Sequence, residues 1–208
     1  MTAVATVAYG QTQQQQAWDI AATVCDPEIP VLTIADLGIL RDVQVTGVPD
    51  GASHPTDSQL TLSKREMTTL TASQLGKPAG RSLSVRVTIT PTYSGCPAMD
   101  AIRDDLKAAF AREGYASTEV DLVLAPAWTT DWMTEAGKAK LQEYGIAPPS
   151  GRAAAGGHHG PVRLSLAVKC PQCSSLNTKE LTRFGSTSCK ALYVCKDCLE
   201  PFDYFKVL

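Results

Sequence analysis

Alternating apolar and polar residues predict the strands of the first part of the chain. Residues 82–90 show the clearest alternation, and one face of this strand is apolar throughout: Leu83, Val85, Val87 and Ile89. Residues 41–46 alternate in the same way over a shorter stretch, and residues 119–124 predict a third strand. A period of two residues is typical of a strand with one buried face.

Apolar residues spaced at three and four positions predict helices. The first covers residues 13–25 and ends before Pro27, which lacks the N–H needed to continue a helix. The second begins at Pro97 and carries an apolar stripe: Met99, Ile102, Leu106, Ala109 and Phe110. The third is capped by a side chain within residues 129–131 and ends at Gly145.

Local composition divides the chain into segments. Residues 1–12 are predicted to be disordered, and residues 13–146 to form a small α/β domain. Residues 48–80 interrupt that domain with an insertion rich in Pro, Gly, Ser and Thr. Residues 147–162 are dominated by Pro, Gly and Ala, which predicts a linker. Residues 163–208 are then expected to form a separate unit.

Overall charge and composition exclude several classes of protein. The chain has 208 residues, a net charge of -2 and 44% hydrophobic residues, values typical of a globular protein. It lacks the basic excess of a nucleic-acid-binding protein, and no apolar run is long enough to span a membrane. Seven cysteines, an odd number, and no secretory signal favour a reducing, cytoplasmic location over a disulfide framework.

The most specific motif is a pair of CxxC sequences in the last part of the chain. Cys170 and Cys173 form the first pair, Cys195 and Cys198 form the second, and residues 174–194 separate them. Each CxxC turn directs two sulfur atoms to one point, so two turns supply a four-thiolate site. Zinc is the expected metal, with an iron–sulfur cluster as the alternative. So small a module needs the metal for its stability.

The predicted elements therefore define an α+β fold. A short mixed sheet carries helices packed on it, without a third layer, and a zinc-ribbon-like β module follows.

Cys189 is a fifth thiol close in sequence to the metal motif. It is either a small buried apolar residue or an exchangeable ligand or redox partner of the metal site.

Cys96 is the candidate functional thiol of the α/β domain. It precedes the helix that begins at Pro97, where free N–H groups and the helix dipole lower a thiol's pKa, although Asp100 opposes this effect. The alternative is a packed, inert cysteine. The histidines, His54, His158 and His159, all fall in predicted loops. A catalytic Cys–His pair is therefore not expected, and neither is an enzyme.

Asp26 and Glu28 flank Pro27 and form a second candidate feature. Their carboxylates either end the first helix and face solvent, or supply oxygen ligands to a metal near Cys96. Spacing alone favours the first interpretation.

Several of these segments together resemble a known family. The motifs DPEIP at 26–30, DLGI at 36–39, TPTYSGCP at 90–97 and WTTDWMT at 128–134 resemble the domain of iron–sulfur assembly factors of the SufT and cytosolic-assembly type. The tail motifs CPQC at 170–173, FGST at 184–187, CKAL at 189–192 and EPFDYFK at 200–206 narrow the resemblance to the PaaD (PaaJ) family. These proteins are the D components of phenylacetyl-CoA epoxidase systems.

The resemblance implies a role that residue spacing does not show. Members of the family act in aerobic bacterial phenylacetate degradation, where other subunits, a di-iron oxygenase and a flavin/iron–sulfur reductase, carry out the chemistry and would be the partners. The D component is thought to assist maturation of their iron or iron–sulfur centres. The functional cysteine of the family falls on Cys96, and its acidic motif falls on Asp26 and Glu28.

The alternatives to a maturation role are an integral non-catalytic subunit of the oxygenase and a thiol-dependent enzyme that uses Cys96. The insertion at 48–80 departs from the family pattern.

Overall fold

A computed structural model describes residues 2–47, 81–151 and 168–207, with side chains from residue 12 onward in the first range and from residue 83 in the second. The predicted insertion at 48–80 lies outside the described residues, as does the predicted linker beyond residue 151. The elements, in chain order, are α1 (Thr2–Ala21), β1 (Leu40–Gly47), β2 (Arg81–Ile89), α2 (Ala98–Arg112), β3 (Tyr115–Leu122), α3 (Glu135–Tyr144), β4 (Thr178–Thr182), β5 (Lys190–Cys195) and β6 (Pro201–Phe205).

The first sheet has the order β1-β2-β3 and is mixed, as the sequence predicts. β1 pairs antiparallel with β2, and β2 pairs parallel with β3. A parallel connection needs a crossover, and α2 provides it. β3 begins at Tyr115, earlier than predicted, because the phenol ring packs edge-on against Phe110 of α2 with ring centroids 5.0 Å apart. The apolar stripe of α2 is buried as expected.

The helix ends differ from the sequence prediction in three places. Residues 2–12, predicted to be disordered, belong to α1, which begins at Thr2. α1 ends at Ala21, four residues before the predicted end at residue 25. α1 as a whole is rich in Ala and Gln and contains no Pro, which favours a helix, although residues 2–12 contain one Gln and several weaker helix formers (Thr, Val and Gly). α3 begins only at Glu135, where the hydroxyl of Thr134 accepts a hydrogen bond from Gly137 N–H, and residues 130–132 form a short 3-10 turn.

The second sheet has the order β4-β5-β6 and is antiparallel throughout. The apolar residues between the two CxxC pairs predict short strands at 181–184 and 191–194. The second corresponds to β5, whereas β4 begins three residues before the first. Leu181 and Phe184 are both exposed, so their apolar character is not a sign of a buried strand here. β6 is not predicted, because its motif begins with Pro201 and does not alternate cleanly.

The second sheet makes contacts with the first part of the chain. Ala147 N–H donates to Asp203 O at 2.8 Å, and Phe205 N–H donates to Ala147 O at 2.9 Å, which extends β6 by one bridge. The Phe205 ring is buried in the main core, 6.1 Å from the Trp128 ring. The division of the chain into these units stays a prediction.

Substitution of Phe205 tests this junction. Phe205→Ala is expected to lower the free energy of unfolding by about 3–5 kcal/mol, since it leaves a cavity in the main core. The matched control is Phe184→Ala, because the Phe184 side chain is 68% exposed. Urea unfolding measures both changes. Equal, small losses in the two variants would show that the second sheet does not contribute to the core of the first.

The insertion between β1 and β2 can also be tested by deletion. Gly47 pairs with Leu83, so the insertion leaves and re-enters the sheet at neighbouring points. Removing residues 50–79 and closing with a short turn is expected to cost little stability, because loop length enters the closure entropy only logarithmically. Thermal unfolding measures the effect. Failure of the shortened chain to fold would assign core contacts to the insertion.

No helix within the part of the chain that the structure describes is long and apolar enough to cross a membrane.

Candidate functional site

The two CxxC turns repeat one backbone geometry. Cys170 N–H donates to Ser175 O at 2.8 Å, and Cys195 N–H donates to Glu200 O at 3.0 Å, so each first cysteine pairs with the residue five positions later. The residue after each second cysteine has a positive φ: 65° at Ser174 and 64° at Leu199. Each chain segment therefore turns tightly enough to bring both of its thiols to the same side.

The four cysteines form a set that fits zinc. All four Sγ atoms lie within 4.8 Å of one another, with Cys170 to Cys198 at 3.7 Å and Cys173 to Cys195 at 3.5 Å. A tetrahedral site with Zn–S bonds of about 2.3 Å separates its sulfur atoms by about 3.8 Å. Four thiolates close the coordination sphere, so the zinc is structural and has no open position for a substrate.

Hydrogen bonds around the metal set tie the two turns together. Asp197 accepts hydrogen bonds from Ser175 Oγ at 2.5 Å and from Asn177 Nδ2 at 2.7 Å, and both partners follow the first turn. These bonds lower the pKa of Asp197. The Cys195 sulfur accepts hydrogen bonds from the backbone N–H of Cys198 and, with a smaller effect, of Asp197. These bonds lower the pKa of the Cys195 thiol to about 7, which favours the thiolate that binds the metal.

Cys189 lies at the opposite end of β5 from the metal ligands. It precedes Lys190, whereas Cys195 ends the strand; at about 3.3 Å per residue the separation is about 20 Å. The Cys189 thiol is buried in the main core and lies 3.0 Å from the hydroxyl of Thr187. The structure therefore does not bring Cys189 to the metal set, and the exchangeable-ligand alternative has no geometric support.

Cys96 lies in the loop before α2 and is half-buried. Its N–H donates to Tyr93 O at 3.3 Å, and its carbonyl accepts from Met99 N–H. Burial raises the pKa of the Cys96 thiol, hydrogen bonding from Ala98 N–H opposes this, and the negative charge of Glu28 adds to the rise. The expected lowering by the helix N-terminus is wrong, because desolvation of the thiolate outweighs it.

Asp26 and Glu28 lie close enough to Cys96 for their charges to raise its pKa. Asp26 is buried, and its Oδ1 accepts hydrogen bonds from Glu28 N–H at 2.8 Å and Ile29 N–H at 2.9 Å. Burial raises the pKa of both carboxyls, and the positive charge of Lys190 opposes the rise in each. Asp26 thus fixes the local turn, but it is buried and α1 already ends at Ala21, so helix termination and a solvated charge, the first interpretation, do not describe it.

These three groups do not form a ready-made metal site. Among the residues that the structure describes, the four cysteines of the second sheet are the group of metal donors that lie together, and Cys96 is not in such a group. We call the region around Cys96, Asp26 and Glu28 the Cys96 pocket. Its main feature is the negative charge of two carboxylates near one half-buried thiol.

Sequence reasoning missed that the second sheet contributes to the surroundings of Cys96. The Tyr93 hydroxyl forms side-chain hydrogen bonds with Cys96 and Ser188, and burial is the main cause of its raised pKa. Lys190 follows two residues later and lies close enough to Asp26 and Glu28 for its positive charge to oppose the rise in the pKa of both carboxyls. The motif at 189–192 is visible in the sequence, but nothing local indicates that it approaches Cys96.

Two other motifs of the resemblance hold the scaffold. The carboxylate of Asp36 pairs with Lys140 Nζ at 2.6 Å, and its carbonyl accepts from Thr134 N–H at 2.9 Å. Gly38 has a φ of 69° and lies so close to Trp132 that a Cβ would clash with its backbone. The indole N–H of Trp128 donates to Leu37 O at 2.9 Å. These residues fix the loop before β1 against the segment before α3.

Glu28→Gln tests the electrostatics of the pocket. Removing this negative charge is expected to lower the pKa of Cys96, because the charge disfavours the thiolate. The midpoint of the pH–rate profile for Cys96 alkylation then moves to lower pH, and the rate near neutral pH rises several-fold. Peptide mass spectrometry measures the rate, with Glu143→Gln on the exposed side of α3 as the control. An unmoved midpoint would place Glu28 too far away to act.

Comparison with known families agrees with both parts of this description. Residues 155–206 match the PaaD zinc beta ribbon domain, and residues 82–122, which include Cys96, match the iron-sulfur cluster assembly protein family. A domain of unknown function (DUF59) from Bacillus anthracis has 20% sequence identity, a TM-score of 0.41, and coverage of 63% of this chain and 92% of its own.

Two curated proteins are similar in sequence. The Fe-S protein maturation auxiliary factor of Porphyromonas gingivalis (strain ATCC BAA-308 / W83) is 28% identical over 120 residues, which are 57% of this chain and 81% of that protein. The putative D component of the 1,2-phenylacetyl-CoA epoxidase of Escherichia coli (strain K12) is 38% identical over 208 residues and the full length of both chains. The chain therefore belongs to the family of the D components of phenylacetyl-CoA epoxidase.

Proposed function

We propose that this protein is an accessory factor of phenylacetate degradation that assists the insertion or maintenance of iron or iron–sulfur centres in the other subunits of a phenylacetyl-CoA epoxidase system. The observation that carries the proposal is the pocket of Cys96, Asp26 and Glu28, which lies within a domain similar to iron–sulfur assembly proteins. The name of the Porphyromonas gingivalis relative supports the same role. The partners are then the oxygenase and reductase subunits.

The chemistry of the pocket suits iron as a passing cargo. A soft thiolate and hard carboxylates are donors that iron accepts, and the negative charge of Asp26 and Glu28 attracts a cation; the donor atoms do not lie together in the described structure, so they would have to move together around the metal. Because burial raises the pKa of Cys96, the thiol is protonated near neutral pH, and binding of iron must displace that proton. Such a site binds weakly and releases readily, which is what transfer to a partner requires.

Catalysis by the protein itself has less support. The four-thiolate site is closed, and within the described ranges no histidine stands beside Cys96: His54, His158 and His159 all lie outside them. A thiol-dependent enzyme would need another base, and the neighbouring carboxylates oppose formation of the thiolate.

A stable, non-catalytic subunit is the second candidate. Its support is a set of exposed apolar side chains at the end of β3, where Leu122, Val123 and Leu124 follow one another. Exposed apolar residues in a row are typical of protein contact surfaces. A permanent subunit would keep such a contact, whereas a maturation factor would make it briefly.

The test compares epoxidase subunits produced with and without this protein. The maturation role predicts that the oxygenase and reductase made without it contain less iron, and that the protein is absent from the purified complex. Iron per subunit and the stoichiometry of co-purification are the measurements. Full iron content without the protein, together with stoichiometric co-purification with it, would instead establish the role of a permanent component.

A further inference from the structure

Lys190 is a buried lysine at the start of β5. Its side chain is 6% exposed, and Nζ lies 3.8 Å from Asp203 Oδ2, a long distance for an ion pair. A buried ammonium is destabilising unless nearby negative charge compensates for its lost hydration. Asp203 of β6 alone is a distant partner, so further compensation is needed.

That compensation comes from the domain that contains the first sheet. Burial raises the pKa of Asp26, Glu28 and Cys189, and the positive charge of Lys190 opposes the rise in each, so the ammonium lies near all three groups. Cys189 is buried in the main core, against which Cys96 also packs. One cation from the second sheet thus stands among carboxylates that both units supply.

The same segment covers part of the pocket. Ser188 hydrogen-bonds to Tyr93, whose hydroxyl also reaches Cys96. The segment is held in place by Lys206 N–H, which donates to Cys189 O at 2.9 Å, and by Gly185 N–H, which donates to Lys190 O at 2.8 Å. β5 runs directly from this segment to the metal ligand Cys195.

We propose that residues 187–190 of the ribbon form one wall of the Cys96 pocket and that the zinc-bound ribbon holds this wall in place. Lys190, which is buried and pairs with Asp203, anchors the segment. The zinc site and the thiol pocket are then two ends of one strand, and loss of the metal opens the pocket. The inference rests on the proposed role of Cys96, but its tests use only the purified protein, so they can fail independently of any role in iron delivery.

The first experiment removes zinc from the full-length protein with a chelator and follows alkylation of each cysteine by peptide mass spectrometry. Cys96 is expected to react several-fold faster without zinc, and Cys189 to become reactive at the same chelator concentration. Hydrogen-exchange protection of β2 shows that the first sheet stays folded. Reaction of the four metal ligands with no change at Cys96 and Cys189 would overturn the proposal.

The second experiment compares Lys190→Met with Lys190→Arg. Lys190 is buried and pairs with Asp203, so Lys190→Met is expected to loosen residues 187–190 and to speed alkylation of both Cys96 and Cys189 at a fixed pH, while Lys190→Arg stays near the wild-type rates. The control is Lys179→Met, at an exposed position on β4.

Unchanged alkylation rates of Cys96 and Cys189 in Lys190→Met would overturn the role of Lys190 as an anchor of this segment. If Lys190→Met fails to fold, the chelator experiment on the wild-type protein still decides whether the ribbon covers Cys96.

Discussion

Replacing Cys195 by serine is expected to release the zinc, to unfold the second sheet and to lower the stability of the entire chain. Serine stays protonated near neutral pH and leaves one coordination position without a strong ligand. Apparent zinc-binding free energies in small modules are about 10–16 kcal/mol, and most of this drives the folding of the module. The ribbon's own apolar cluster is small, so it cannot compensate.

The effect is expected to spread because the two sheets share a core. Phe205 and Cys189 belong to the second sheet but are buried in the main cluster. Unfolding of β5 and β6 therefore exposes Trp128 and removes the bridge to Ala147. An independently folding ribbon would leave the first domain with its full stability.

Zinc per chain and the thermal unfolding of the first domain measure the two parts of this expectation. Cys25→Ser is the matched control, because Cys25 is an exposed cysteine outside the metal set. Cys195→Ser is expected to lose the metal and to unfold at a lower temperature, while the control keeps both. A Cys195→Ser protein with full zinc would refute the four-thiolate site, and one with an unchanged first domain would refute the shared core.

The features that the sequence predicts correctly are local ones. The alternation in β2 and the stripe of α2 follow from the geometry of single elements, and the structure confirms both. The four metal ligands are predictable because each CxxC turn is local and its chemistry is specific. Mixed pairing of the first sheet follows from the order of strands and helices.

The features that the sequence does not predict depend on long-range packing. β6 owes its place to pairing with β5, and Phe205 to the Trp128 ring, which is remote in sequence. The position of Lys190 beside Asp26 arises only when the two sheets meet.

The direction of the Cys96 pKa shift is the clearest example. Its helix position predicts a lower pKa, but burial and the carboxylates decide the sign, and neither is visible in sequence spacing. The local geometry of a helix therefore predicts the position of a thiol, whereas the reactivity of that thiol depends on residues from distant parts of the chain.

Cys96→Ser is expected to abolish the accessory function in cells while it leaves the fold intact. Cys96 is only half-buried, so the smaller hydroxyl costs little packing and the thermal unfolding temperature is expected to stay nearly unchanged. Its chemistry is lost, because serine is a poor ligand for iron. The expected results are loss of growth on phenylacetate and iron-deficient oxygenase or reductase subunits.

The decisive measurement is the iron content of those subunits, purified from cells that carry Cys96→Ser, with Cys25→Ser as the matched control. Cys25 is exposed and belongs to the same domain, so general effects of losing a thiol appear in both variants. Normal iron with normal growth would exclude a maturation role for Cys96. Normal iron with lost growth would favour the role of a stable component, because the chemistry would then depend on contact rather than on metal delivery. Iron deficiency with a stable, zinc-loaded variant would support a maturation role that depends on the Cys96 thiol.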